Sequence, residues 1–333
     1  MYIVGTYTVA VLLSIVTMLC WGSWPNTQKL VSKNWRFELF YWDYVLGILI
    51  AALLFAFSLG SSGTDGRSFM ADLFQADWQN MFSAALGGAI FNLGNILFVA
   101  AIALAGMSVA FPVGAGIGLI LGVLINYVAA PVGNAFYLFA GVALVAAAIL
   151  LSAKAQRNLQ KEEKNVSVKG LVLSIVAGVL FGFFYRFIGS SMTGDFRIPE
   201  AGKMEPYAAV VCFASGVLLS NFLFNTIMMK KPVAGQPVSY AMYFKGSQRD
   251  HLMGILGGLI WGTGLVLSIL STERAGFAIS FGLGQGNAMI AAIWGVFIWR
   301  EFARAPKGTN RLLYGMFACY IAGIIMLIVS RLY

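Results

Sequence analysis

Ten separate stretches of mostly apolar residues constrain this chain more than anything else in its sequence. They run over roughly residues 6–25, 39–59, 80–104, 107–128, 134–152, 169–190, 206–229, 252–271, 275–299 and 310–331. Each is close to the ~20 residues that cross the hydrocarbon core of a bilayer as an α-helix. Inside lipid only a helix or a closed barrel satisfies its own backbone N–H and C=O groups. The third and fourth stretches meet at Ala105-Gly106, so a tight turn joins two helices there. The fold expected is therefore an all-α integral membrane bundle of ten transmembrane helices. Composition agrees: 59% of the 333 residues are hydrophobic and 11% charged, where a soluble domain carries about 25% charged residues. No basic stretch precedes the first apolar run, which is followed by Trp24-Pro25 and not by a small-residue cleavage site. It reads as a retained first helix and not as a signal peptide.

A net charge of +9 raises the question of nucleic acid, but the basic residues fall in short loops between apolar runs. They act as topology signals, and no nucleic-acid partner is expected. With the loop between helices 1 and 2 placed inside, the inner loops hold sixteen of the 22 Lys and Arg, among them Lys29, Lys33, Arg36, Lys161, Lys164, Lys230, Lys231 and Arg304. The positive-inside rule then puts both termini outside the cytoplasm of a cell (inner) membrane. A charged cytoplasmic linker, 154–168, separates a first half, 1–153, from a second, 169–333.

The halves resemble each other. Phe111-Pro112-Val113-Gly114-Ala115-Gly116 in helix 4 matches Phe281-Gly282-Leu283-Gly284-Gln285-Gly286 in helix 9, an offset of 170 residues, and Leu93-Gly94-Asn95 parallels Trp261-Gly262-Thr263. With five helices each, the second half enters the membrane from the other side. Two inverted five-helix repeats with a site near the midplane are a transporter signature. Glycines spaced by four (Gly114, Gly118 and Gly122; Gly178 and Gly182; Gly258 and Gly262) let helices pack closely. Pro112, inside helix 4 beside glycines, is expected to kink or open that helix.

The chain lacks a nucleotide-binding Gly-x-x-x-x-Gly-Lys-Ser/Thr loop, so ATP is not its energy source. Its one histidine, His251, has no His, Cys or carboxylate cluster near it in sequence and reads as interfacial. No metal or other cofactor is expected, and no Ser/His or paired-Asp constellation suggests an enzyme. Two charges fall within spans, where they are costly: Asp43 in helix 2, a candidate carrier of a coupling proton, and Arg186 in helix 6, a candidate partner for a carbonyl-rich solute. Asn92 and Asn95, in the outer part of helix 3 and three apart, share a face. Gln285 and Asn287 lie mid-helix 9 and Thr263 in helix 8. Amides both donate and accept, which suits sugar hydroxyls or ureide N–H and C=O groups; the plain alternative is hydrogen bonding between helices. Trp21, Tyr185 and Trp261 can stack on a ring, with lipid-interface anchoring as the alternative.

Several segments resemble the plant ureide permeases. Trp21-Gly22-Ser23-Trp24-Pro25 is similar to their aromatic/Gly/Thr-Trp-Pro close of helix 1, and Tyr41-Trp42-Asp43-Tyr44 to their Tyr-Leu-Asp-Tyr opening of helix 2. Asp77-Trp78, Gly87-Gly88 and Leu93-Gly94-Asn95 resemble their third helix, and Gly106-Met107-Ser108-Val109 their Gly-Leu-Ser-Val start of helix 4. The pattern covers about 1–152; Arg186 and the Phe281–Gly286 stretch have no clear place in it. The same architecture is shared by bacterial glucose/ribose uptake proteins and rhamnose–proton symporters, all within the drug/metabolite transporter superfamily. The resemblance implies a secondary transporter, monomer or homodimer, that imports a small neutral polar solute with protons by alternating access. The alternative is a drug or metabolite exporter of the same superfamily.

Overall fold

The computed structural model describes residues 1–159, 167–303 and 305–333. Lys161, Lys164 and Arg304, used above to orient the chain, lie outside the described residues, as does the middle of the 154–168 linker.

Ten helices among the described residues are long and apolar enough to span a membrane: α1 Tyr7–Gln28, α2 Phe37–Phe57, α3 Trp78–Ala105, α4 Met107–Ala129, α5 Ala135–Arg157, α6 Val168–Ser191, α7 Pro206–Lys230, α8 Gln248–Ala275, α9 Phe277–Ile298 and α10 Thr309–Val329. Helix starts carry side-chain caps: Thr6 accepts from Val9 N–H, Asn134 from Phe136 N–H, Ser167 from Gly170 N–H and Ser247 from Asp250 N–H. Each satisfies a donor that the first helical turn leaves free. α8 begins four residues before the apolar stretch and ends four after it. Ser247 and Asp250 cap one end, and Ser271 and Thr272 fold their hydroxyls back onto backbone carbonyls at the other. Large apolar side chains such as Leu54, Leu150, Leu219 and Phe222 point out of the bundle, as a lipid-facing surface requires.

α3 and α8 are both 28 residues long, and every position in one has a counterpart 170 residues on in the other. Both end on a glycine with positive φ, Gly106 at 77° and Gly276 at 83°. That backbone conformation favours glycine and turns each chain straight into the next helix. α3 packs on α4, α6 and α7, while α8 packs on α9, α1 and α2. α2 meets α7, α4 meets α9, and α5 meets α10. Exchanging the first five helices with the last five leaves these pairings unchanged, as two inverted repeats would. Backbone approaches repeat as well. A Cβ on Gly258 would lie 1.9 Å from Tyr44 O, and one on Gly88 would lie 2.1 Å from Phe213 O.

The expected irregularity at Pro112 is absent: α4 carries the proline inside a continuous helix. The break lies instead in α9, at Gln285-Gly286, and a π-helical turn follows at Trp294–Ile298. Gln285 N–H is shared between Phe281 O and Gly282 O, and Gly286 N–H reaches Leu283 O. These tightened bonds bring Gly284 and Gly286 under Trp21 and Met18 of α1.

The connections α1–α2, α7–α8 and α9–α10 share one face, rich in Lys and Arg and called here the basic face. At the opposite face residues 58–77 are tied to residues 192–205. Arg67 N–H donates to Glu205 Oε2 (2.9 Å), Arg67 Nε to Asp72 Oδ1 (3.0 Å) and Glu205 N–H to Asp72 Oδ2 (2.7 Å). Burial pushes both carboxyls up, Glu205 to about 7 with the Asp72 charge adding to the effect, although Arg67 pulls the other way.

Candidate functional site

At mid-bundle the chain places aromatic rings. Phe91 and Trp261, each the fourteenth residue of its helix, stack with ring centroids 4.3 Å apart. Trp21 of α1 lies on the other side of Trp261, nearly parallel to it at 5.7 Å and 14°. Its indole N–H donates to Trp261 O at 3.2 Å. Glycines make this possible: a Cβ on Gly264 or Gly284 would come within 2.7 Å of the Trp21 ring. A third ring between Trp21 and Trp261 needs about 7–8 Å, two carbon contacts of about 3.5–4 Å each. The two rings therefore close the centre. Phe213 and Tyr44 flank the stack.

Toward the opposite face lies a buried run of hydroxyls. Tyr185 O–H pairs with Ser268 Oγ (2.8 Å), and Ser271 joins Ser14 and Ser280 at 3.2 and 2.9 Å. The run joins α1, α6, α8 and α9. Arg186, next to Tyr185, is half-buried and makes no ion pair among the described residues.

Toward the basic face the expectations need correction. Phe91 occupies the middle of α3, so Asn92 and Asn95 lie at and beyond it on the basic side, not in the outer part. They also serve different helices. Asn92 donates to Ser220 Oγ of α7 (2.9 Å), whereas Asn95 donates to Tyr41 O–H of α2 (3.1 Å). Gln285, Asn287 and Thr263 are half-buried near the centre. The Asn287 carbonyl abuts Gly22, where an added Cβ would lie 2.4 Å away.

The larger correction concerns His251. It has a carboxylate partner: its Nδ1 lies 2.9 Å from Asp43 Oδ2, and the Tyr243 hydroxyl donates to Asp43 Oδ1 at 2.6 Å. The residues are some 200 apart in sequence and meet because α2 lies against α8 with Gly254 directly beneath Asp43. Trp35 covers both His251 and Tyr243. Tyr243 comes from a short helix, Tyr240–Phe244, ahead of α8. Its phenol is held above the usual range by burial and by Asp43. Asp43 is buried, with two titratable partners and no Lys or Arg in its hydrogen-bonding shell. Such a group can take or give a proton where a permanent ion pair could not.

Asn221 and Asn225 escaped the sequence reading too. They are four apart in an otherwise apolar run and fully buried in α7. That i, i+4 spacing of amides was the signal that could have identified them.

The family model for ureide permeases matches residues 40–168 and 146–330. Ureide permease 2 and ureide permease 1 of Arabidopsis thaliana are each 24% identical, with 99% of this chain and 99% of the relative aligned. Transmembrane protein 144 homolog B of Dictyostelium discoideum is 25% identical over 50% of this chain and 42% of its own length. A solved crystal structure covers 97% of this chain and 98% of its own at TM-score 0.61 and 15% identity, a likeness of fold. With ten membrane-crossing helices and a family match over most of its length, this chain belongs to the ureide permease family of multi-pass membrane transporters, and it is a permease and not an enzyme.

Proposed function

We propose that this chain imports a small neutral solute of the ureide type across the cell membrane together with protons. It works by alternating access between two inverted repeats, 1–153 and 169–333. The names of the relatives supply the solute class. The observation that carries the coupling is the buried Asp43 carboxylate, held by His251 and Tyr243 alone. In this reading the basic face is cytoplasmic and both termini lie outside.

Trp21 and Trp261 stack on the solute once α1 has swung away from α8. Asn95 and Gln285 supply its hydrogen bonds, while Asn92, Asn287, Thr263, Tyr185 and Arg186 line its path. Three contacts hold α1 to α9 at the basic face: Trp294 Nε1 to Ser23 Oγ, Trp299 Nε1 to Asn26 Oδ1, and Lys29 to Glu301. They release when α1 moves. The repeated 170-residue geometry of α3 and α8 supports such a motion, because a second, mirrored closure becomes available.

The test is uptake of radiolabelled allantoin, a cyclic ureide, into proteoliposomes with an imposed pH gradient. Accumulation that collapses with the gradient supports the reading. Gradient-driven extrusion would make the chain an exporter, and accumulation of glucose in place of allantoin would replace the solute class.

A further inference from the structure

The basic face opens into a cavity of about 380 Å³ between α2, α3 and α7, walled by Phe37, Ile96, Val99, Ala103 and Asn225. This is the small end of the ~300–1,000 Å³ range of small-molecule sites. One helical turn deeper than Phe37 and Val99, the Tyr41–Asn95 hydrogen bond bridges α2 to α3. Beyond it, rings continue to the centre: Phe37 against Tyr41 (5.0 Å), Tyr41 against Tyr44 (5.4 Å) and Tyr44 against Trp261 (6.5 Å).

Three buried asparagines beside this cavity carry amide atoms with no partner among the described residues: Asn92 Oδ1, Asn225 Oδ1, and both Oδ1 and Nδ2 of Asn221. The amide nitrogens of Asn92 and Asn225 donate to the Val217 and Glu38 carbonyls, which fixes the oxygen as the end left over. Asn221 lies one turn deeper than Asn225 on the same face of α7. Buried polar groups without partners are uncommon and call for an occupant. Packing does not require them here. At the mirrored positions, 169 residues before Asn221 and Asn225 and 170 after Asn92, stand Ala52, Ala56 and Gly262. The same helix contacts are made there without an amide.

We propose that this cavity is a solute-binding vestibule on the basic face and that the Tyr41–Asn95 pair is the gate between it and the aromatic centre. Three free acceptors against one free donor select a small planar molecule rich in N–H groups and carrying at least one C=O. That pattern matches a ureide better than a sugar, whose hydroxyls donate and accept alike. The inference rests on the transport reading above and places a second station on its path.

The test uses the full chain in proteoliposomes. Asn221→Leu removes both free amide atoms at similar volume. A purely structural asparagine predicts an unchanged or raised melting temperature with unchanged uptake. The vestibule predicts the same melting behaviour with allantoin uptake reduced at least about tenfold, the effect of one lost hydrogen bond or more. Because that variant can misfold, a second measurement uses Ala103→Cys at the exposed rim. Maleimide labelling from the basic face should be slowed by allantoin and not by glucose. Normal uptake by Asn221→Leu, or allantoin-insensitive labelling of Ala103→Cys while the wild type still transports allantoin, overturns the vestibule alone. A wild type that neither binds nor moves allantoin overturns the transport reading and the vestibule with it.

Discussion

Asp43 and His251, separated by 208 residues, sit 2.9 Å apart near the basic end of the bundle. The contact exists because α2 and α8 meet along glycines, with Gly47 against Ile255, Gly254 against Asp43 and Gly258 against Tyr44. A buried carboxylate whose partners are an imidazole and a phenol has two protonation states of similar cost. A carboxylate locked to an arginine has one.

Asp43→Asn keeps the shape of the side chain and removes the titrating group. Proton-driven accumulation of allantoin should be lost, while exchange of labelled for unlabelled allantoin at equal pH should persist. Counterflow measured beside gradient-driven uptake separates the two. Loss of both together would assign Asp43 a structural role.

Glu205 gives stability a pH dependence. Its carboxyl is raised to about 7 by burial and by Asp72, against about 4.3 in an unfolded chain. The folded protein thus holds a proton that the unfolded chain releases between these values. The stability this contributes is complete below about pH 4.3 and is lost as pH rises through about 7. The melting temperature should fall between pH 5 and pH 8, and Glu205→Gln should flatten that fall. Thermal unfolding in detergent across the range checks the sign.

Gly258→Ala forces a methyl to within 1.9 Å of Tyr44 O, so α2 and α8 must separate. A loss of about 1–3 kcal/mol or more is expected. Gly116→Ala, with nothing within 4 Å of the new methyl, should instead gain up to about 1 kcal/mol from helix propensity. Comparing the two melting temperatures tests whether glycine closeness, and not glycine number, holds the bundle.

Asn95→Ala and Gln285→Ala should each abolish the thermal shift that allantoin produces. Asn95→Ala also loses its bond to Tyr41, worth about 1 kcal/mol, whereas Gln285 is half-buried and its loss should cost less stability. Unchanged shifts in both variants would remove them from the site.

The linear sequence by itself determined the spans, and the physical reason is solvent. A run of ~20 apolar residues in lipid has one way to satisfy its backbone, so ten such runs become ten helices whatever their neighbours. The 170-residue spacing of the two halves was legible for the same reason, since α3 and α8 carry matching polar ends and matching turn glycines. What tertiary structure decided is which side chains meet. Hydropathy along one helix carries no record of the azimuth at which another helix packs. His251 therefore looked solitary until α8 settled against α2 and brought it to Asp43. Asn92 and Asn95 looked like a pair until α7 and α2 divided them. The break expected at Pro112 fell in α9, because contact with α1 set the strain there and a single proline near the start of α4 did not.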